Sequence, residues 1–523
     1  MAEKWKAVHQ TVREVSSEAM ELPPNELDAF IVYDNLLDES VSGTRLICLT
    51  CGLGGLQVVW SVILSNGSPY LVSLGLSKSL TALVWIAAPL CGSFVQPIVG
   101  SWSDQFTSRW GRRRPFIVAG AIGIAFSMLL LAWSKELVRC IDLPEQYGSN
   151  DMMVISFATF WIYALNIAIQ PVQAGIRSLM VESLSVGQQA RASNYASVMQ
   201  GLGNILGYFF GFWILPSINT TKTTLFQRLS IFASVILCVS VGATCYAISE
   251  KRSDSALSAH PANSIRMLAS LRQTYLELPS KIRNVCCVQF FSWMGWFPFL
   301  YYSTTYVGEF FDGKLQQQHR QSDDIPRSER AVRMLSPDAI RYGTFASFLF
   351  AIVTFVYNVV LPKVLGHLPR RQMLAEGDKS HVSVVQAWKY SHVYFALLMF
   401  STSLVQSEAA ATAVVTFAGL SWALTLFAPF AIISTELAAQ HDLERHELSN
   451  LDDLGLAGKS HIGGVFGLHN MAISLPQILA ALLCSAIYTA ARSFDWVDGT
   501  GWVLRAGGVS ALGAAWLCRR LND

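Results

Sequence analysis

Residues 100–115 read GSWSDQFTSRWGRRRP and join two long apolar runs, 80–100 and 115–133. The second run opens at Pro115, which suits a first helical turn because its missing N–H would be unsatisfied there anyway. Each run approaches the ~20 residues that a helix needs to cross a bilayer. Between them stand an acid, Asp104, and a basic cluster of Arg109, Arg112, Arg113 and Arg114. The spacing predicts a membrane-crossing helical hairpin whose basic turn stays on one side. An acid at a helix end can pair with such arginines or with a nearby helix N-terminus, and pairs of this kind hold one conformation and break in another. Retention of positive charge explains basic loops generally, so the arginines also read as topology anchors alone. Asp104 does not fit that simpler reading.

Outward from this hairpin, further apolar runs fall at 45–65, 153–180, 197–215, 229–248, 285–307, 342–361, 390–405, 410–433, 464–488 and 502–517, twelve spans in all. Composition agrees: 52% of the 523 residues are hydrophobic and 14% charged, against roughly 25% charged in a soluble chain. The expected fold is therefore an all-α membrane protein. A net charge of +2 gives no reason to expect a nucleic-acid partner; the bilayer is the expected one. Basic residues follow span six (Lys251, Arg252, Arg266, Arg272), span eight (Lys363, Arg370, Arg371) and span twelve (Arg519, Arg520) as well as span two. These faces, and with them both termini, are predicted to be cytosolic, at the plasma membrane.

The polar residues 1–44 show no cleavable signal, so span one is expected to serve as the anchor. Most of the 10 cysteines fall in or beside apolar spans, where cysteine acts as a small hydrophobe; no disulfide, metal or cofactor framework is implied. The sequon Asn219-Thr220-Thr221 lies in a predicted external loop, whereas Asn66-Gly67-Ser68, at the end of span one, reads as coincidence. A polar stretch, 249–284, divides the spans six and six. The predicted organisation is an N-terminal segment 1–44, a first six-helix bundle 45–248, a cytosolic linker 249–284, a second bundle 285–518 and a short tail 519–523. Span counting alone equally fits an unrelated twelve-helix fold.

The run 109–116, RWGRRRPF, resembles the R-[FW]-G-R-R-R-P-[FY] signature of the sucrose transporter family, which includes plant sucrose–proton symporters and fungal α-glucoside permeases. VQPIVG at 95–100, QAGIRSLMVE at 173–182, WFPF at 296–299 and GLHN at 467–470 are similar to further family elements in the same order, so the resemblance runs from about Arg45 to Arg520. It implies the major facilitator fold, two six-helix bundles with substrate bound between them, and proton-coupled uptake of a disaccharide. YYSTTYVGE at 301–309 and the histidine at 469 look more like the fungal branch. Ser303 and Thr305 stand where plant members carry acids, and Ile63 and Asn166 stand where some relatives have polar or acidic residues. Fewer carboxylates within the spans make proton coupling less secure than transport.

An ionisable group at a span end is expensive unless it faces a cavity or a partner, which singles out Glu182. Arg177 lies five residues before it and Arg191 nine after, and either is a possible partner. The resemblance implies that Glu182 binds the proton and that Arg191 is its basic partner; a structural pair of Glu182 with Arg177 is the simpler alternative. Gln57 with Trp60, then Asn166, Gln170 and Gln173, and finally Asn204 and Asn470, offer hydroxyl-binding groups and an aromatic face for a sugar. Singly, each amide reads more simply as a helix-to-helix hydrogen bond. Trp296 and Trp422 read as core. Asp104, Arg112, Arg113 and Arg114 form one candidate gate and Arg341, opening span eight, another. Without a nucleotide loop, metal cluster or nucleophile constellation, an enzyme is not expected. An uncoupled facilitator and a non-transporting sensor remain as alternatives to a symporter.

Overall fold

The computed structural model describes residues 41–106, 108–140, 150–184, 186–214, 223–248, 250, 278–318, 335–366, 384–449, 462–494, 496 and 498–521. The bulk of the predicted linker, the N-terminal residues 1–40 and the sequon at 219–221 lie outside them. In hydrocarbon no water satisfies backbone N–H and C=O groups, so spanning segments close their own hydrogen bonds as helices. Among the described residues there are twelve long helices, and each predicted run falls on one of them, in order. They are α1 (Gly43–Ser73), α2 (Lys78–Val95, continued by Gln96–Gln105), α3 (Arg114–Ala132), α4 (Asn150–Ser183), α5 (Val186–Phe209, continued by Phe210–Ile214) and α6 (Leu225–Ala247). The second set is α7 (Ser280–Gln318), α8 (Pro337–Gly366), α9 (Val384–Ser401), α10 (Glu408–Ser449), α11 (Ile462–Ser493) and α12 (Gly499–Leu517).

Eight of them are long and apolar enough to cross a membrane by length and composition. The other four, α5, α7, α9 and α12, carry polar groups such as Asn204, Gln289, His392 and Arg505 among their apolar residues. Several helices overrun the predicted bounds. α1 continues past residue 65 to Ser73, and α7 starts at Ser280, inside the stretch read as linker, and runs to Gln318. Hydropathy registers the hydrocarbon layer, whereas backbone hydrogen bonding carries the helix on into polar sequence. Asn66 is consequently inside α1, buried, and its Nδ2 donates to Ser65 Oγ at 2.7 Å, so its sequon is not an acceptor in this fold.

In the first half α1 packs on α5 and α6, α3 on α4 and α6, and α2 on α4. In the second half α7 packs on α11 and α12, α9 on α10 and α12, and α8 on α10. Adding six to each helix number converts one set into the other, the mark of two parallel six-helix repeats. The halves meet where α2 lies against α11, α5 against α8, and the wide turn Ile63–Gly67 of α1 against α7. That wide turn precedes Pro69, which has no N–H to return to the carbonyl four residues back. Phe126, Phe160, Val239, Leu397, Leu482 and Val509 stand exposed on the helices, an arrangement suited to lipid and not to water. Trp296 and Trp422 are buried in the second half, their ring centroids 4.8 Å apart, as expected of core residues.

Close approach of α5 to α1 depends on small residues. A Cβ on Gly203 would lie 2.2 Å from the Gly54 carbonyl oxygen, and one on Gly207 would lie 1.8 Å from Ser61 Oγ. Gly207→Leu is therefore expected to lower the thermal unfolding temperature of the purified protein by several degrees, about 2–4 °C per kcal/mol or less in a chain of this size. Gly242→Leu, where an added Cβ meets nothing within 4 Å, is expected to leave it unchanged in a detergent-based melting assay.

Candidate functional site

At the end of the molecule that carries the basic loop, Gly111 adopts φ +101°, a left-handed conformation that side chains disfavour. The turn it makes aims successive backbone N–H groups at Glu250, just beyond α6. Arg112 N donates to Glu250 Oε2 at 2.7 Å, Arg113 N to the same oxygen at 3.0 Å, and Arg114 N to Oε1 at 2.9 Å. A carboxylate thus caps the positive N-terminus of α3, and a Cβ on Gly111 would collide with it at 2.5 Å. The side chains turn the other way. Arg113, buried, donates through Nη2 and Nε to Glu182 Oε1 at 2.7 and 3.0 Å and through Nη1 to Ser103 Oγ on α2. Arg112 adds Nη2 to Glu182 Oε1 at 2.9 Å, and Arg114 donates to the Ile248 carbonyl. Glu182 and Glu250 together bind α2, α3, α4 and α6 into one end of the first bundle.

Two expectations are corrected here. Glu182 pairs with Arg112 and Arg113, and not with Arg177 or Arg191, because the loop returns the arginines across the end of α4. Arg191 instead donates to the Val41 carbonyl at 3.3 Å and lies 5.9 Å over the Tyr195 ring. The Asp104 side chain, on which the gate reading rests, lies outside the described residues.

Arg177 is exposed on α4. Among the described residues it has no hydrogen bond or ion pair; it faces His469 of α11, in the other half, closely enough to interact electrostatically. His469 is itself buried, with Nε2 3.3 Å from Gln289 Nε2 on α7. Deeper in the first half, Gln57 Nε2 donates to Asn204 Oδ1 at 3.0 Å, joining α1 to α5. Asn166 and Gln170 are buried on α4 and donate along their own helix, which leaves Asn166 Oδ1 without a partner. Gln173 and Trp60 are half-buried. Asn470 is used as a tie between the halves, donating to Gln96 Oε1 at 3.2 Å and to the Gly92 carbonyl at 3.4 Å on α2.

The opposite end is shut. Arg341, at the start of α8, donates to the Phe212 carbonyl of α5 at 2.9 Å, so it bridges the halves at the far end from Arg112–Arg114. Lys78 of α2 is ion-paired with Glu309 of α7, and Ser79 Oγ lies 2.9 Å from both Ser485 Oγ and Thr489 Oγ1 of α11.

A model described as MFS/sugar transport protein matches residues 50–317. Over 92% of this chain and 94% of its own length, the general alpha-glucoside permease of Schizosaccharomyces pombe is 32% identical. The chain belongs to the MFS/sugar transport protein family. A sucrose transport protein of Oryza sativa subsp. japonica is 27% identical over 84% of this chain and 85% of its own. Two solved structures share the fold at low identity. The xylose transporter XylE of E. coli, partially occluded and inward open, has a TM-score of 0.55 at 12% identity, covering 91% of this chain and 98% of its own. The nucleoside transporter NupG has a TM-score of 0.58 at 10% identity, covering 91% and 99%.

This member of the MFS/sugar transport protein family is thus a multi-pass membrane sugar transporter of the major facilitator type, not an enzyme. The sequence reading passed over Glu250, Lys78 and Glu309. A signal for all three was present, since helix parity places residue 250 on the side of the basic loop and residues 78 and 309 together on the other.

Because Arg113 is buried and holds Glu182 through two donors, a double-mutant cycle of Arg113→Leu with Glu182→Leu is expected to give a coupling of roughly 1.5–3 kcal/mol in chemical unfolding. The cycle of Arg177→Leu with Glu182→Leu is expected to give none. Coupling in the second cycle and not in the first would overturn the assignment of partners.

Proposed function

We propose that the protein carries a disaccharide of the α-glucoside class, sucrose or a maltose-type sugar, together with a proton, by alternating access between its two bundles. The observation that carries this reading is the asymmetry of the seam. Arg177, exposed and without an ion pair among the described residues, stands toward one end, while Lys78, Ser79 and Arg341 tie the halves at the other. Such an arrangement corresponds to one state of a cycle in which bundles 45–248 and 285–518 rock about the substrate. The names of the relatives, an alpha-glucoside permease and a sucrose transport protein, support the substrate class.

In this reading Arg177 and the free acceptor Asn166 Oδ1 meet sugar hydroxyls, with Gln57, Asn204, Gln170, Gln173 and Trp60 shaping the wall. Glu182 serves as the anchor of the basic-loop lock, and Asn470 as a tie that breaks when the halves part. The basic-loop end faces the cytosol of a plasma-membrane transporter. Uncoupled facilitation is the second reading, favoured by the buried, non-titrating Ser303 and Thr305 on α7.

Labelled sucrose and maltose uptake into proteoliposomes separates the two. Symport predicts accumulation above the external concentration that a protonophore abolishes. Equal, non-accumulating uptake with and without the protonophore would establish the facilitator. Arg177→Ala is expected to reduce uptake roughly tenfold or more at normal expression, the scale of a lost charged hydrogen bond.

A further inference from the structure

Lys78 opens α2, and its Nζ is ion-paired with Glu309 Oε1 of α7. Thr500 Oγ1, at the start of α12, donates to the same carboxylate oxygen at 2.9 Å, and Tyr488 OH of α11 donates to Thr500 Oγ1 at 3.4 Å. One residue along α2, Ser79 Oγ donates to the Ser485 carbonyl of α11 at 3.1 Å. The first turn of α2 is thereby fastened to α7 and α11 of the other half, and α12 shares the same carboxylate.

Between described residues this is the one ion pair that joins the halves. Glu182 with Arg112 and Arg113 stays in the first half, while Lys281 with Glu436 and Arg505 with Asp498 stay in the second. Glu309 and Asp312 are the carboxylates of α7. Asp312 accepts from Ser336 N at 2.9 Å at the start of α8, so a proton on Asp312 would leave the first half untouched. A proton on Glu309 removes the counter-charge of Lys78 and one acceptor of Thr500, and it does so at the seam. The hydroxyl ties of Ser79 carry no charge to lose. Under the tie lies a cleft between the halves lined by Ser68, Pro69, Thr81, Tyr302 and Thr305, the space into which parting of α2 from α7 would open.

We propose that Glu309 is the latch of this end: taking a proton from the adjoining water, its carboxylate becomes a neutral acid and the ion pair that holds α2 to α7 is lost, and the proton returns to the same water when the pair re-forms. The charged and titratable groups that face it are Lys78 from α2, Tyr306 and Asp312 from α7, Tyr488 from α11 and Arg505, held by Asp498, from α12. The proposal rests on the alternating-access reading and names the latch of its closed end.

Hydrogen–deuterium exchange of the purified full-length protein in nanodiscs, without sugar, tests the release directly. After correction for intrinsic rates, segments 78–84 and 485–493 are expected to exchange faster at about pH 5 than at about pH 8. In Glu309→Gln they are expected to exchange fast at both. Should that variant fail to fold, Lys78→Met removes the same pair from the other side and must give the same result. Wild-type exchange rates at about pH 8 in the folded variants, or pH-independent exchange of both segments in the wild type, overturn the proposal. If the wild type accumulates no disaccharide while the exchange pattern holds, Glu309 stands as the release switch and the choice of sugar falls.

Discussion

Hydrocarbon accepts no hydrogen bonds, and that constraint sets the structure from backbone to mechanism. Twelve segments satisfy their own backbone groups as helices, and side chains that still need partners turn inward. In a one-bundle protein those groups would disappear into a core. Here the packing pattern repeats after six helices, so a seam remains between two similar bundles, and polar residues from both halves collect along it. Gln57 meets Asn204 inside the first half, Gln289 meets His469 inside the second, and Asn470 reaches across to Gln96. A surface that is polar and shared by two rigid bodies is what a hydrophilic cargo requires for passage through a dry layer.

The charged groups divide by task. Glu182 and Glu250 fix the loop of arginines within the first bundle, where nothing has to move: three N–H groups are capped and one buried guanidinium is held by a carboxylate and a serine. Such a clamp keeps α2, α3, α4 and α6 together at this end of the bundle. Arg341, Lys78 and Glu309 tie one bundle to the other. The distinction lies in the partner and not in the residue type, since an arginine beside a carboxylate looks the same in either setting.

Much of this was legible in the sequence, and the reason is that hydropathy reports depth. All twelve runs, the hairpin through residues 100–115 and the core role of Trp296 follow from apolar length and composition. Helix ends were misjudged where polar sequence stays helical beyond the hydrocarbon, as at Ser73 and Ser280. Rotation about the helix axis and register between helices leave no trace in hydropathy. Nearness in sequence therefore suggested Arg177 and Arg191 for Glu182, although the loop delivers Arg112 and Arg113 from another helix. Asn470 read as a sugar contact for the same reason: an amide on a seam serves cargo or neighbour depending on what stands opposite, and Gln96 stands opposite.

The strength of the ties at the closed end matches a gate better than a fastening. Lys78 and Glu309 keep 26% and 28% of their side-chain surface in water, and partly exposed pairs contribute about 1 kcal/mol or less. Each hydroxyl bond of Ser79 and Thr500 adds roughly 0.5–1.5 kcal/mol, because water replaces it on opening. The sum is a few kcal/mol, the gap at which both states of a two-state protein stay populated and a small input tips the balance. A buried pair in this position would resist opening far more strongly. Water access at Lys78 and Glu309 thus keeps the tie between the halves weak.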